Sequence, residues 1–233
     1  MLTKISSGSG SRSRKQTIQR SPVIIPKSTR KNNKRKKVII VLTKSAIKQE
    51  ACRRVFSGRD FILHFQEIPD NPLRAPQPIS LKGTKEAGTH RIRDYLENRD
   101  GKYLQYKDAI ILSIESGIMS FDDSIDPDEY TKQSWADVCV LSYGKSLDNI
   151  KYVVCPWILG IDPEYTREYF KDGKIHPDPK FDTLGKMIVE MYETKTGKKI
   201  SHNNWMKDVV GIDRTDQIEN GLRELHKKLR EVS

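Results

Sequence analysis

The stretch Ile114-Glu115-Ser116-Gly117-Ile118 sets one carboxylate at the end of an apolar run, ahead of a small residue and a glycine. A carboxylate at a strand end stands at the rim of an α/β sheet, where ligands collect. Gly117 would let a backbone come close to such a ligand. A hard oxygen donor there suits a magnesium ion bridging phosphates. A rim carboxylate paired with a lysine is the plainer alternative. A second stretch, Thr43-Lys44-Ser45-Ala46-Ile47-Lys48, leaves one apolar run and enters a helical pattern. The first N–H groups of a helix are unpaired and its dipole is positive there, so the junction attracts anions. The hydroxyls of Thr43 and Ser45 and the charges of Lys44 and Lys48 fit a phosphate site. An ordinary capped helix has the same ingredients.

Two arginines extend the set. Thr84, Gly88, Arg91 and Tyr95 fall on one stripe of a helix. Arg91 either reaches from it into a cleft or pairs with Asp94 or Glu97. Arg214 stands just before the last helical segment, with Thr215 as N-cap. Its fork of N–H donors suits a phosphate or a base edge. Other patterns fail. Gly144-Lys145-Ser146 ends like a Walker loop, but Cys139 occupies the place of the earlier glycine. Asp122, Asp123, Asp126, Asp128 and Glu129 lack the glycine and spacing of a calcium loop and read as a solvated loop. Cys52, Cys139 and Cys155 show no CxxC spacing. They read as buried reduced thiols in a reducing, intracellular compartment, cytoplasmic or nuclear.

The elements that position these groups follow from pattern. Residues 38–42 are a β-branched run, hence a buried strand. Residues 46–56 read as a helix, 61–65 as a strand, and 69–83, with four prolines, as an extended loop. Residues 84–98 read as a helix capped by Thr84, and 109–114 as a central strand. Strands over 138–141 and 152–157 pair around a turn at Gly144. Helices over 164–170, 183–193 and 215–231 complete an alternating α/β chain.

Charge divides the 233 residues unevenly. Residues 1–37 hold 12 Lys and Arg and no acid, so of the total +11 the remaining residues carry −1. That segment has too little apolar surface to offset its ordering entropy and reads as a disordered basic tail. Its run Arg30-Lys31-Asn32-Asn33-Lys34-Arg35-Lys36-Lys37 fits a nuclear address or an arm for nucleic acid or another polyanion. An organelle transit peptide has a similar composition. Residues 38–233 form one domain with no basic surplus of their own. No apolar run is long enough to cross a bilayer, so no membrane partner is expected.

Taken in order, these motifs resemble the inosine/xanthosine triphosphatases, the noncanonical purine NTP phosphatase family of the ITPase-like superfamily. That family opens with a strand and Ser/Thr-Lys-Asn-Pro-x-Lys-x-x-Ala, which Thr43, Lys44, Lys48 and Ala51 match without a gap. Its Gln-Pro resembles Gln77-Pro78, and its Glu-Glu-Thr-x-x-Gly-Ala-x-Asn-Arg falls on residues 82–91. Its Ile-Glu-Ala/Ser-Gly-Ile is met by residues 114–118. Its Leu-Gly-Lys is met by Leu184-Gly185-Lys186, and its Asp-Arg-Thr by Asp213-Arg214-Thr215. The likeness spans residues 38–230. It departs at Ser45, Lys82, Gly83 and His90, where the family has Asn, Glu, Glu and Asn. The family segment that lines the nucleotide pocket has only residues 199–205 in its place, with Trp205 as a base-stacking candidate.

The resemblance implies an ITPase-like α/β fold: a central mixed β-sheet with flanking helices forming two lobes around a cleft, assembled as a homodimer. It implies hydrolysis of ITP or XTP with Mg2+, or Mn2+ in its place. Glu115 would be the catalytic residue and metal ligand. Thr43, Lys44, Ser45, Lys48, Arg91, Gly117 and Arg214 would bind substrate. The altered residues admit an alternative, a catalytically impaired domain that binds nucleotides, or nucleic acid through its tail.

Overall fold

The computed structural model describes residues 36–58, 60–68, 76–98, 106–121, 134–156, 159–171 and 174–231. The disordered-tail reading and the acidic loop at 122–129 lie outside them, apart from Lys36 and Lys37. The strand β1 (Lys37–Leu42) is an almost unbroken β-branched run and sits mid-sheet, where both faces are covered. The helix α1 (Ala46–Phe56) follows directly and leads to β2 (Phe61–Gln66). Next come α2 (Ser80–Asn98), β3 (Ile110–Ser120), β4 (Trp135–Gly144), β5 (Lys151–Val154) and β6 (Leu159–Gly160). The chain ends with α3 (Pro163–Tyr169), α4 (Leu184–Thr196), α5 (Trp205–Val210) and α6 (Arg214–Glu231). No described helix is long and apolar enough to cross a membrane.

The sheet is mixed, with order β2-β1-β3-β4-β5 and β6 on the far part of β4. β1 lies parallel to both β2 and β3, whereas β3–β4, β4–β5 and β4–β6 are antiparallel. The class is therefore α/β with a central mixed sheet. Alternation along each strand divides the core between the two faces. One face carries Ile39, Val41, Leu112, Ile114 and Leu141 under α1 and α6. The other packs Ile40, Leu42 and Ile111 against Ile92 and Tyr95 of α2. A third apolar cluster joins α3, α4 and α5 to Ile118 and Trp135, at the end of the β3–β4 pair away from β1.

Strand β4 is longer than the expected 138–141, β5 ends at Val154 rather than 157, and β6 and α5 are additional; three further changes bear on the site. Helix α2 starts at Ser80, four residues before Thr84. The Ser80 hydroxyl accepts the Gly83 N–H at 3.0 Å, as a cap does. Ser80 takes φ 75°, the left-handed region, to make that turn. Thr84 is then an internal residue whose hydroxyl donates to the Ser80 carbonyl. Strand β3 does not stop at Ile114 but runs through Gly117 to Ser120, because β4 pairs with its whole length. Helix α6 starts at Arg214, with the Asp213 carboxylate accepting the Thr215 N–H at 2.8 Å in place of a Thr215 cap.

Gly117 serves packing. A methyl built there would lie 2.0 Å from Thr84 Oγ1 and 2.9 Å from the Pro78 carbonyl oxygen. The second neighbour is backbone and cannot swing away. Gly117→Ala is expected to destabilise the fold by about 1–3 kcal/mol through overpacking. Urea unfolding of the two proteins checks it; equal midpoints would show that the α2–β3 contact is looser than described.

Candidate functional site

The sheet leaves a notch. β1 pairs with β3 only across Ile110–Leu112 and ends at Leu42, whereas β3 continues for eight more residues. The open edge is next touched at Ile118, whose N–H donates to the Pro78 carbonyl at 3.0 Å and which bridges Ile79. A cavity of about 280 Å3 fills the space between. Its size lies near the lower end of small-molecule sites, roughly 300–1,000 Å3. It stands beyond the carboxyl end of β1, where ligands of open α/β sheets bind.

Five charged side chains line it: Lys48, Arg91, Glu115, Asp137 and Arg214. Glu115 is nearly buried in mid-strand on the α2 face. Its Oε1 accepts from Arg91 Nε at 2.6 Å and from the Ser113 hydroxyl at 2.6 Å. Gly88, on the adjoining part of α2, has no side chain to push Glu115 away; a methyl there would meet Ser142 Oγ at 2.2 Å. Asp137 faces the other side of the sheet, because its partner across the ladder is Ile118 while that of Glu115 is Val140. It pairs with Arg214 Nη2 at 3.1 Å, and both are largely buried. Lys48 reaches from α1 to donate to the Ile114 carbonyl on the open β3 edge. Burial pushes the Lys48 ammonium below its ordinary pKa, a shift opposed by Glu115 and reinforced by Arg91 and Arg214. Three cations thus face two carboxylates. With Lys48 protonated the cavity carries one positive charge in surplus, a balance that favours an anion.

Neutral donors join them. Ser45 makes no capping hydrogen bond, so the first N–H groups of α1 at the rim have no side-chain cap. Ser116 presents more. Phe121 N–H bonds Ser134 across the β3–β4 ladder, while Ile118 N–H and the Ile114 carbonyl point the other way. Hydrogen-bonding direction alternates along a strand, so the Ser116 N–H and carbonyl also face the notch. Its hydroxyl is buried and has no partner. At the far wall the Gln77 side chain accepts the Leu184 N–H of α4 at 3.2 Å, uniting motifs 107 residues apart. Burial, with Lys186 nearby, pushes His202 below its usual pKa, so it lines the cavity as a neutral imidazole at pH 7.

Of the residues singled out from sequence, the structure brings Ser45, Lys48, Arg91, Glu115 and Arg214 to this cavity. Lys44 points away and pairs with Glu67 beyond the end of β2 at 3.1 Å. The Thr43 hydroxyl accepts the Ser45 N–H at 3.1 Å and so shapes the turn. Gly117 packs on α2 as described. Trp205, the base-stacking candidate, also lines the cavity; it is 6% exposed, packed in the α3–α5 cluster with its indole edge against Gly185. Asp137, and a donor role for Ser116, lie outside the expectations from sequence. An acid inside the apolar run of β4 was the available signal for Asp137, since a buried carboxylate needs a partner. The value of Ser116 depends on strand register, which has no local sign. All three cysteines are buried and free, and burial pushes Cys52 up to about 12, which keeps its thiol protonated and unreactive.

Among the described residues no group of three or more His, Cys, Asp or Glu is placed to hold a metal ion. Glu115 and Asp137 lie on opposite faces of the sheet, and Lys82, exposed, pairs with Glu86 at 3.9 Å. The donors present do not make a resident metal cage. A cation here would have one carboxylate, Glu115, beside the open β3 edge and would need its other donors from a ligand or water.

No family model matches the chain, and no curated protein matches it in sequence. Among solved structures it is similar to protein VC0702 from Vibrio cholerae, with 14% identity over 81% of this chain and 92% of that one and a TM-score of 0.51. At that identity the likeness shows the fold alone. A looser likeness is to a HAM1 protein from Coxiella burnetii, with 10% identity over 70% of this chain and 100% of that one and a TM-score of 0.30.

Proposed function

We propose that the chain is an ITPase-like phosphatase that cleaves the Mg2+ complexes of ITP and XTP in the cavity beside the open edge of β3. The observation that supports this most is the set of cationic side chains at a strand-to-helix junction, with Glu115 nearby on β3. The two lobes of this reading are the sheet with α1, α2 and α6, and the α3–α5 cluster, with the cavity between them. Lys48, the α1 N-terminus with Ser45, and Arg214 hold the phosphate chain. Ser116 donates its N–H and hydroxyl to one phosphate oxygen. Mg2+ enters as part of the substrate and neutralises phosphate charge. Glu115, held by Arg91 and Ser113, meets that ion or orients the attacking water, so catalysis rests on positioning and charge stabilisation.

A nucleotide panel tests the proposal. With Mg2+, phosphate release from ITP and XTP is expected to exceed release from ATP by at least about tenfold, a difference of ~1.4 kcal/mol in transition-state binding. Chelation of Mg2+ is expected to stop it. Absence of turnover on every purine triphosphate would end the proposal.

One observation favours a second reading, binding without turnover. Glu115 Oε1 is already taken by Arg91 and Ser113, and Lys82 and Gly83 stand where the resemblance has paired acids. Under it, nucleotides bind but stay intact. Binding of nucleic acid through residues 1–37 then weakens steeply with salt and vanishes when they are removed.

A further inference from the structure

Asp137 lies in a strand whose ten residues are all buried. A carboxylate in such a place is costly unless paired and hydrogen-bonded. Its pair is made in one particular way. Asp137 Oδ2 and Oδ1 both approach Arg214 Nη2, at 3.1 Å and 3.4 Å. The Arg214 main-chain N–H donates separately to Asn204 Oδ1 at 3.0 Å. The base and the tip of Arg214 are therefore fixed from two elements, while Nε and Nη1 bond to none of the described residues. Both side chains line the cavity.

We infer that Asp137 is a positioning residue: it occupies Nη2 and turns the remaining N–H edge of the Arg214 fork toward an anionic oxygen of the ligand. The inference rests on the reading of the cavity as a nucleotide-phosphate site. A planar guanidinium gives its full benefit only in a fixed orientation, so a tether on one nitrogen pre-organises the others. A second role for the carboxylate, charge balance alone, predicts the opposite sign. Removing a negative charge from the cavity would then tighten anion binding.

The experiment measures binding of inorganic pyrophosphate and of Mg2+–ITP to the full chain by calorimetry, with thermal melts as folding controls. Asp137→Leu removes the tether and the charge together. It is expected to weaken binding by about tenfold, the scale of a lost charge-assisted hydrogen bond, despite the gain in positive charge. Asp137→Glu keeps the charge, displaces the fork and is expected to weaken binding by several-fold. In an Arg214→Met background neither change has a further effect, because the two residues act as a unit. Wild-type affinity or tighter in the folded Leu and Glu variants would overturn the inference and leave the phosphate site standing. If Asp137→Leu does not fold, Asp137→Glu decides by the same criterion. A wild-type chain that binds neither pyrophosphate nor Mg2+–ITP removes the underlying reading, and the inference with it.

Discussion

Glu115→Gln is expected to lower turnover of Mg2+–ITP by about a hundredfold to a thousandfold, the range for removal of one group that meets the reacting centre. The amide keeps the shape of the carboxylate and an acceptor oxygen for Arg91 Nε and the Ser113 hydroxyl, which now bond Glu115 at 2.6 Å each. The change is thus confined largely to charge. It raises the surplus in the cavity from one positive charge to two, so affinity for Mg2+-free pyrophosphate should hold or increase while turnover collapses. The split separates loss of chemistry from loss of the site. Arg91 retains solvent contact, so the pair is worth less than a buried one, and melting should shift only modestly. Steady-state kinetics and pyrophosphate calorimetry on the same preparation check both halves. Unchanged turnover would remove Glu115 from the mechanism. Weaker pyrophosphate binding would mean that the carboxylate chiefly organises Arg91.

Lys48→Met is expected to weaken pyrophosphate binding by roughly a hundredfold. Two unit charges about 4 Å apart interact by about 4 kcal/mol at an effective dielectric of 20, and desolvation returns part of that, leaving about 2–3 kcal/mol. The substitution abolishes the positive surplus and frees the Ile114 carbonyl that Lys48 now engages. A pH signature accompanies it. Burial favours the neutral amine, so Lys48 loses its proton below the ordinary lysine value of 10.5. Anion binding needs the ammonium. Affinity therefore falls as pH rises through that lowered value, rather than at 10.5. Lys48 is faced by Glu115 and Arg91 from one side and by Cys139 and Arg214 from the other, and its burial dominates all of them. Lys48→Arg, charged at every accessible pH, should remove that alkaline limb. A limb that persists in Lys48→Arg would belong to another group.

The β1–α1 junction was legible because every determinant is local. A β-branched run makes the strand, the hydroxyls at Thr43 and Ser45 end it, and the helix follows with the bounds expected from pattern, Ala46–Phe56. Helix α2 was only partly legible: Thr84 looks like a cap, but Ser80 performs that task from a left-handed turn no periodicity announces. By pattern β3 ends at Ile114, since Glu-Ser-Gly breaks its apolar run; pairing with β4 carries it on. The same continuation changes the meaning of Glu115. It stands in mid-strand beside an edge that β1 has vacated, so the rim of the sheet lies at the end of a neighbour.

The amino-acid order alone determined the α/β class, the strand–turn–helix that opens the fold, and the residue types from which an anion site is made, because burial periodicity and capping act over a few neighbouring residues. It did not decide which of those residues meet. Lys48 turns inward and Lys44 outward to Glu67, Asp137 finds Arg214 77 positions away, and the Ser116 hydroxyl is buried without a partner. Each depends on where β1 stops relative to β3 and on the β3–β4 register, and strand length and register are set by pairing between distant segments.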